Sequence, residues 1–411
     1  MSAPGIPRTG EPLTVARRRA PGPRLLWLLP AGFALLSGLG AGLMLLGVAP
    51  AFGFERLEVV HGMLLVLGFV ATLVSLERAT ALDRWYGFAA PALLASGAVL
   101  LVVAPVPLVV GKSLLVAGMA AFTALGIPLW RRQFDHPLLT QILATGLGLV
   151  AAVLWLGGAP LVVALPWLIG FLVLTIAAER VELARITMGP TAGARLLAHA
   201  VLIVGALLLG FAFPNAGAIV LGLALISLTV WLVVHDIARR TIRGTGVTRF
   251  MAACILCGYV WLFLAALLLL LGQPLDQPVY DAVVHAVFLG YTFSMIMAHA
   301  TTILPAVLRI ALPYRPVLWV PVAILQIALV IRIWFGDGLG NLVSWRIGGV
   351  LGVVAILLFA LTAVSSAIAG PPRTQRPAPR IRELSSQPNG PLLKRPARPP
   401  QTAHHIDRSA E

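Results

Sequence analysis

The sequence predicts an all-α integral membrane protein with about twelve transmembrane helices, and its composition and hydropathy pattern carry this prediction. Hydrophobic residues make up 59% of the 411 residues and charged residues only 11%, with a mean hydropathy of +0.95. Such a chain is far too apolar to be a soluble globular protein. Apolar runs of about 20 residues, the length that crosses a bilayer, recur twelve times. They are centred near residues 36, 68, 96, 118, 147, 169, 203, 225, 259, 291, 325 and 357.

The distribution of basic residues predicts that both termini are cytoplasmic. Cytoplasmic loops of membrane proteins are enriched in Lys and Arg. If both termini lie inside, 26 of the 30 basic residues fall on the inner side, and the outer side keeps only Arg56, Lys112, Arg332 and Arg346. We therefore expect a multi-pass protein of the cytoplasmic membrane. Its net charge of +15 is explained by this topology and calls for no nucleic-acid partner.

The chain divides into three parts by composition. Residues 1–24 form a basic N-terminal tail, residues 25–370 contain the twelve apolar runs, and residues 371–411 are rich in Pro and Arg. A segment of the last kind cannot bury enough apolar surface to fold, so we expect a disordered cytoplasmic tail. The first apolar run has the length of a full span, which predicts an uncleaved first helix and not a signal peptide.

An internal repeat relates three of the predicted helices. The segment "GFVATLVSLER" (68–78) in the second helix matches "GFLVLTIAAER" (170–180) in the sixth, and "GYTFSMIMAHA" (290–300) in the tenth is a weaker copy with His299 in place of the glutamate. Because these helices are four apart, the match predicts three four-helix units around a pseudo-threefold axis. Alternatively, the Glu–Arg pairs lie near inner helix ends only because charged side chains reach the interface there.

Two histidines mark a candidate metal site, because ionisable residues inside membrane helices are costly and usually functional. His61 in "EVVHGMLLVLGF" and His285 in "YDAVVHAVFLGY" each lie about one turn into their helices from the outer side. If the pseudo-threefold axis brings these helices together, the imidazoles approach a flat cofactor from opposite faces, as in bis-histidine haem. The alternative is two independent histidines that hydrogen-bond to neighbouring helices.

A second metal site is predicted at the inner depth. His299 follows His285 by fourteen residues, nearly four whole turns, so it lies on the same side of the tenth helix and roughly 21 Å further along. His199, about one turn into the seventh helix, is expected at the same depth, and the pair is a candidate for a second haem or a copper ion. On the outer side, Arg332 and Arg346 are candidates to bind haem propionates, or to anchor helix ends at the headgroups.

These features resemble two known families. Twelve spans with histidines in the second and tenth helices resemble subunit I of the heme–copper oxidases, in which those helices supply the low-spin haem ligands. The segment "HGMLLVLGF", which begins at His61, is similar to the early His–x–Met segment, followed by Gly-Phe, of the NnrS family. That family consists of haem- and copper-containing membrane proteins associated with nitric oxide metabolism. The resemblance covers residues 25–370.

The resemblance implies a specific set of functional residues and ligands. His61 and His285 match the axial haem ligands, and Arg332 and Arg346 match the propionate partners. It also implies nitric oxide as a small gaseous ligand, copper as a further cofactor and a redox partner that the sequence does not identify.

The sequence departs from the oxidase pattern at the copper site. The sixth helix has no His-x-x-x-Tyr pattern and the seventh has no tandem histidines, so the oxidase's copper site and cross-linked tyrosine have no counterparts. Oxygen reduction is therefore not expected, and a role of the NnrS type in nitrogen-oxide or respiratory redox metabolism is. No residue is identified as catalytic, so the sequence leaves open whether the protein is an enzyme.

Two functions of other classes stay open at this point. A proton-coupled transporter would use the buried histidines, Glu77 and Glu179 to relay protons or bind substrate. The sequence, however, contains no clear pair of broken helices. A structural or assembly subunit without a cofactor would tolerate replacement of both histidines with little effect beyond lost packing.

The predicted topology can be tested with reporter fusions. Alkaline phosphatase is expected to be active when fused after Gly158, between the fifth and sixth helices, and inactive when fused after Gly189 or at the C-terminus. The reason is that the basic segments remain on the cytoplasmic side. The opposite activity pattern would reverse the orientation.

Overall fold

The computed structural model describes residues 28–48, 56–308 and 310–370, and every regular element in these residues is helical. Among these residues, twelve helices are long and apolar enough to cross a membrane, so the protein is an all-α multi-pass membrane protein, as predicted. They are α1 (Leu28–Leu45), α2 (Arg56–Leu82), α3 (Trp85–Val102), α4 (Leu108–Gln133), α5 (His136–Leu156), α6 (Leu161–Leu183), α7 (Ala192–Ala212), α8 (Pro214–His235), α9 (Gly246–Leu269), α10 (Gln277–Pro305), α11 (Pro316–Gly338) and α12 (Leu342–Ala369). The predicted tails, residues 1–24 and 371–411, lie outside the described residues.

The helix boundaries that hydropathy marks least clearly are made by Pro and Gly. The connection between α3 and α4 contains Pro105 and Pro107, and proline cannot supply the backbone N–H that would continue a helix. Between α5 and α6, Gly158 has a φ of +87°, a conformation that glycine adopts without steric cost. These residues separate pairs of helices that would otherwise form continuous apolar segments.

Helices α2, α6 and α10 form the centre of the bundle. In the 18-residue apolar stretch of each of these helices, 67%, 72% and 72% of the residues are buried, against 28–56% in the corresponding stretches of the other nine helices. Phe69 of α2 stacks on Phe293 of α10 with ring centroids 6.1 Å apart, and polar contacts join α6 to both helices. These are the three helices that carry the sequence repeat. Their mutual packing is what three four-helix units around one axis would produce.

The backbone of α2 and α10 deviates from the α-helix at matching places. Each contains an eight-residue π-helical segment, Leu64–Ala71 in α2 and Ala286–Phe293 in α10. Gly68 and Gly290, which the sequence repeat aligns, occupy the same position in the two segments. π-helical turns are rare and often occur at functional sites. The likeness between α2 and α10 thus includes the backbone just after His61 and His285, whereas α6 is α-helical throughout.

Small residues allow the central helices to pack closely against their neighbours. A Cβ atom on Gly68 would lie 2.8 Å from the Cβ of Ala98 and 3.2 Å from the Cβ of Ala34. A Cβ atom on Gly290 would overlap the side chain of Trp261. In a bilayer, where lipid tails are as apolar as the side chains, such close packing is a main source of helix association.

We therefore predict that Gly68→Ala destabilises the protein by about 1–3 kcal/mol, the usual cost of overpacking a core. The matched control is Gly205→Ala, because a Cβ atom on Gly205 would have no neighbour within 4 Å. The control is expected to be neutral or slightly stabilising, since alanine favours the helix. Denaturant titration of the detergent-solubilised variants measures both effects, and equal stabilities would contradict the packing argument.

Candidate functional site

A cavity of about 80 Å³ lies between the N-terminal halves of α2, α6 and α10, and both His61 and His285 line it. The rest of its lining is almost entirely apolar. Helix α6 contributes Leu161, Leu165 and Leu168, and α10 contributes Phe288 and Leu289 among others. The structure thus brings together the two histidines that the sequence places at equivalent depths in separate helices.

Helix α1 positions the imidazole of His61. Its Nδ1 lies 2.7 Å from the backbone oxygen of Gly38, and a Cβ atom on Gly42, one turn later, would lie 3.0 Å from its Cε1. Gly42 thus leaves room for the ring beside α1. A carbonyl oxygen can only accept a hydrogen bond, so Nδ1 carries the proton and Nε2 keeps the free lone pair.

The imidazole of His285 is held in the same tautomer by its own helix. Its Nδ1 lies 2.9 Å from the backbone oxygen of Asp281 and 3.4 Å from the carboxylate oxygen Oδ2 of that residue. Nε2 of His285 is therefore also the nitrogen with the free lone pair. Histidines that bind metals commonly donate the other ring N–H to a carbonyl or a carboxylate, which fixes the ring orientation.

A buried ion pair fixes Asp281 next to His285. Arg332 of α11 donates two hydrogen bonds of 2.9 Å to the Asp281 carboxylate, and Trp345 of α12 donates a third of 3.1 Å. The guanidinium also lies over the Trp345 ring, 4.6 Å from its centroid. Asp281 is 8% exposed and Arg332 is 6% exposed. The pair therefore joins α10, α11 and α12 and holds the helix turn that supports His285.

The two arginines predicted to bind propionates lie in different surroundings. Arg332 is paired with Asp281, and α12 accommodates it through Gly349, where a Cβ atom would lie 2.5 Å from Nη1 of Arg332. Arg346 is exposed, and its Nη2 lies 4.0 Å from the position of a Cβ atom on Gly47, near the end of α1. Their binding of propionates stays a prediction.

His299 belongs to a separate buried network at the other end of α10. Its Nδ1 lies 2.8 Å from the backbone oxygen of Met295, and its Nε2 lies 3.0 Å from Nη1 of Arg180. Since Nδ1 carries the proton, Nε2 accepts a hydrogen bond from the guanidinium. Arg180 also pairs with Asp236 at 2.6 Å, and the Tyr259 hydroxyl donates to that carboxylate at 2.7 Å. The lone pair of His299 is thus already engaged.

The structure does not bring His199 to His299. The Nδ1 of His199 bonds to the backbone oxygen of Arg195 at 2.8 Å, its Nε2 lies 3.2 Å from the Ser227 hydroxyl, and its ring stacks on Trp231. Within the described residues, no group of three or more His, Cys, Asp or Glu side chains is arranged to hold a metal ion. The inner metal site and the copper ion stay predictions.

The Glu–Arg pairs of the repeat form ion pairs between helices. Arg78 of α2 contacts Glu179 and Glu182 of α6 at 2.8 and 3.2 Å, and Arg78 is only 7% exposed. Sequence reasoning noted the pairs but not these partners, and it singled out Arg332 without identifying Asp281 as its partner. Opposite charges in otherwise apolar spans were the available signal, since such charges usually pair with one another.

Comparison with known proteins assigns the chain to a family. Residues 24–368 match the family model described as "Domain of unknown function (DUF8744)". No curated protein and no solved structure matches the chain. The family match includes nearly all of the twelve-helix bundle and therefore both the histidine cavity and the buried ion pairs. The chain belongs to the DUF8744 family.

Proposed function

We propose that the protein is a haem-binding membrane protein in which His61 and His285 would hold the iron. One observation carries the proposal: both imidazoles line a single cavity, and both have Nδ1 bonded to a backbone carbonyl. Each histidine therefore has a free lone pair on Nε2, the atom through which a neutral imidazole coordinates iron.

The chemistry of the cavity fits a haem, although the side chains must move to admit one. Its lining is apolar, as suits a macrocycle whose potential is tuned by a hydrophobic shell. Pockets for ligands of this class measure about 300–1,000 Å³, whereas the cavity measures about 80 Å³. Leu65, Phe288 and Leu289 in its wall are only half-buried. These side chains would have to turn outward to admit the macrocycle.

The chain's own residues would hold the group and tune its electrostatics. A bound haem would supply a one-electron centre, and with two histidine ligands it is suited to electron transfer. Asp281 would orient His285 through its backbone oxygen, and the Asp281–Arg332 pair would place two opposite charges beside the ligand.

The resemblance to the NnrS family extends the proposal to a biological setting. It rests on His61, Met63 and the following Gly68–Phe69. The proposed role is nitrogen-oxide or respiratory redox metabolism in the cytoplasmic membrane. Nitric oxide would be the small ligand, copper a further cofactor and a redox protein the partner.

Absorption spectra of detergent-purified, haem-supplied protein test the axial ligands. The wild type is expected to show a Soret band and, after dithionite reduction, sharp α and β bands, because six-coordinate bis-histidine haem is low-spin. His61→Ala and His285→Ala are each expected to lose these bands. His136→Ala is the matched control, since His136 is exposed at the start of α5, and it should keep them. A featureless spectrum from folded wild type would overturn the proposal and favour a transporter.

The Asp281–Arg332 pair gives a second test, because replacing its two members should shift the midpoint potential in opposite directions. Asp281→Asn removes a negative charge near the iron, so the oxidised state is less stabilised and the midpoint potential should rise. Arg332→Gln removes a positive charge, so the potential should fall. Shifts on the order of 60 mV are expected, which correspond to about a tenfold change in the equilibrium constant of a one-electron reaction.

Redox titration of both variants beside Arg195→Gln measures these shifts. Arg195 is exposed on α7, so its replacement should leave the potential unchanged. Movement of the two pair variants in the same direction would indicate a loss of structure and contradict the electrostatic role.

A further inference from the structure

A cluster of four charged residues lies at the C-terminal ends of α2 and α6, and we call it the Arg78 cluster. It consists of Glu77, Arg78, Glu179 and Glu182. Glu77 follows His61 by sixteen residues, so the cluster lies roughly 24 Å further along α2 at ~1.5 Å rise per residue. It is therefore separate from the histidine cavity.

The Arg78 cluster has more negative than positive charge. Nη2 of Arg78 lies 2.8 Å from Glu179 and 3.9 Å from Glu77, and Nη1 lies 3.2 Å from Glu182. Three carboxyl groups thus share a single guanidinium. The side chains of Arg78, Glu179 and Glu77 are 9%, 14% and 24% exposed, so water screens them poorly. Neighbouring carboxylates in such surroundings cannot all stay ionised without further compensation.

The neighbouring cations on the other packed elements have partners of their own. Arg180, next in sequence to Glu179, pairs with the buried Asp236, and the Arg180–His299 contact leaves His299 neutral. These groups add no positive charge to the Arg78 cluster. Arg132 on α4 likewise has a partner outside the Arg78 cluster, because its side chain donates a hydrogen bond to the backbone oxygen of Leu82.

A small cavity beside Arg78, with both polar and apolar side chains in its lining, provides a second, independent observation. Its volume is about 10 Å³ and its lining includes Arg78, Gln141, Thr145 and Thr175. Three of its polar atoms are buried and have no hydrogen-bond partner among the described residues: Nε of Arg78, Nε2 of Gln141 and Oγ1 of Thr175. Gln141 and Thr175 are 7% and 2% exposed. The cavity therefore has the room, about 10–15 Å³, and the polar lining that one water molecule requires.

Glu77 is the carboxyl group that is least stabilised as an anion. Glu179 and Glu182 each accept a hydrogen bond from Arg78. Glu77 lies 3.9 Å from the nitrogen that it shares with Glu179, which is beyond hydrogen-bond distance. If all three carboxyl groups were ionised, two of their negative charges would have no positive partner. A proton on Glu77 removes one of these charges without breaking either hydrogen bond to Arg78.

We propose that the Arg78 cluster is a proton-binding site in which the Glu77 carboxyl carries the proton at neutral pH. Glu182, whose side chain is 41% exposed, connects the site to the surface, and the water-sized cavity extends it into the bundle. A proton fits better than a metal ion, because the guanidinium occupies the space between the carboxylates. The site exchanges protons whether or not the histidine cavity binds haem.

Infrared spectroscopy of the full-length, detergent-purified protein tests the proposal through the C=O stretch of protonated carboxyl groups. Ordinary glutamates have pKa values of about 4.3 and are ionised at pH ~7–8. The wild type is expected to show protonated-carboxyl absorption in this range, and the part of it that is due to Glu77 is lost in Glu77→Gln, whereas any contribution from Asp337, which lies beside Asp281, is common to both proteins. Glu58→Gln, at an exposed position of the same helix, is the matched control and should keep the band. An identical band in wild type and Glu77→Gln would overturn the proposal.

A second variant tests the charge balance with Glu77 intact. In Glu179→Gln only two carboxyl groups share Arg78, so Glu77 is expected to ionise and its part of the band to disappear at neutral pH. Persistence of the band in this variant would overturn the argument. The proposal would also be overturned if the wild-type band appeared only when choline replaced sodium in the buffer. That result would identify the cation bound in sodium buffer as Na⁺. Circular dichroism and gel filtration show whether each variant is folded.

Discussion

The packing of α2, α6 and α10 on one another is the constraint on which the rest of the structure depends. In a bilayer the hydrophobic effect does not drive helices together, so association relies on close packing and on polar contacts between helices. Both operate here. Gly68 and Gly290 allow neighbouring helices to approach, and Arg78 and Arg180 connect α6 to α2 and α10. Everything that we assign to function lies on these three helices or one contact away.

The cost of an unpaired charge in the membrane explains the arrangement of the buried polar residues. Breaking a buried ion pair by removing one partner leaves an uncompensated charge, which is strongly destabilising. Arg180 pairs with Asp236, and Arg332 pairs with Asp281, beside which Asp337 is a further carboxyl group. Asp236 and Asp281 each accept a further hydrogen bond from an aromatic side chain. The Arg78 cluster differs, because three carboxyl groups surround one guanidinium. That imbalance is the physical ground for assigning it a proton.

The histidines of the bundle differ in what their second nitrogen contacts. His61, His285 and His299 all have Nδ1 bonded to a backbone carbonyl. Nε2 of His299 accepts from Arg180, whereas His61 and His285 share an apolar cavity. The same residue type and tautomer thus give a structural contact at one end of α10 and a candidate metal ligand at the other.

The sequence by itself determined the number of helices, their positions and the repeat that relates three of them. Span formation depends on the length and hydropathy of one segment, which are local properties. Only the tertiary structure decided the partners: Arg332 with Asp281, 51 positions apart, the His61 ring with Gly38, and His299 with Arg180 and not with His199. The physical reason is that these contacts depend on the rotation and packing of separate helices. Nearly uniform hydropathy around each helix leaves that rotation undetermined.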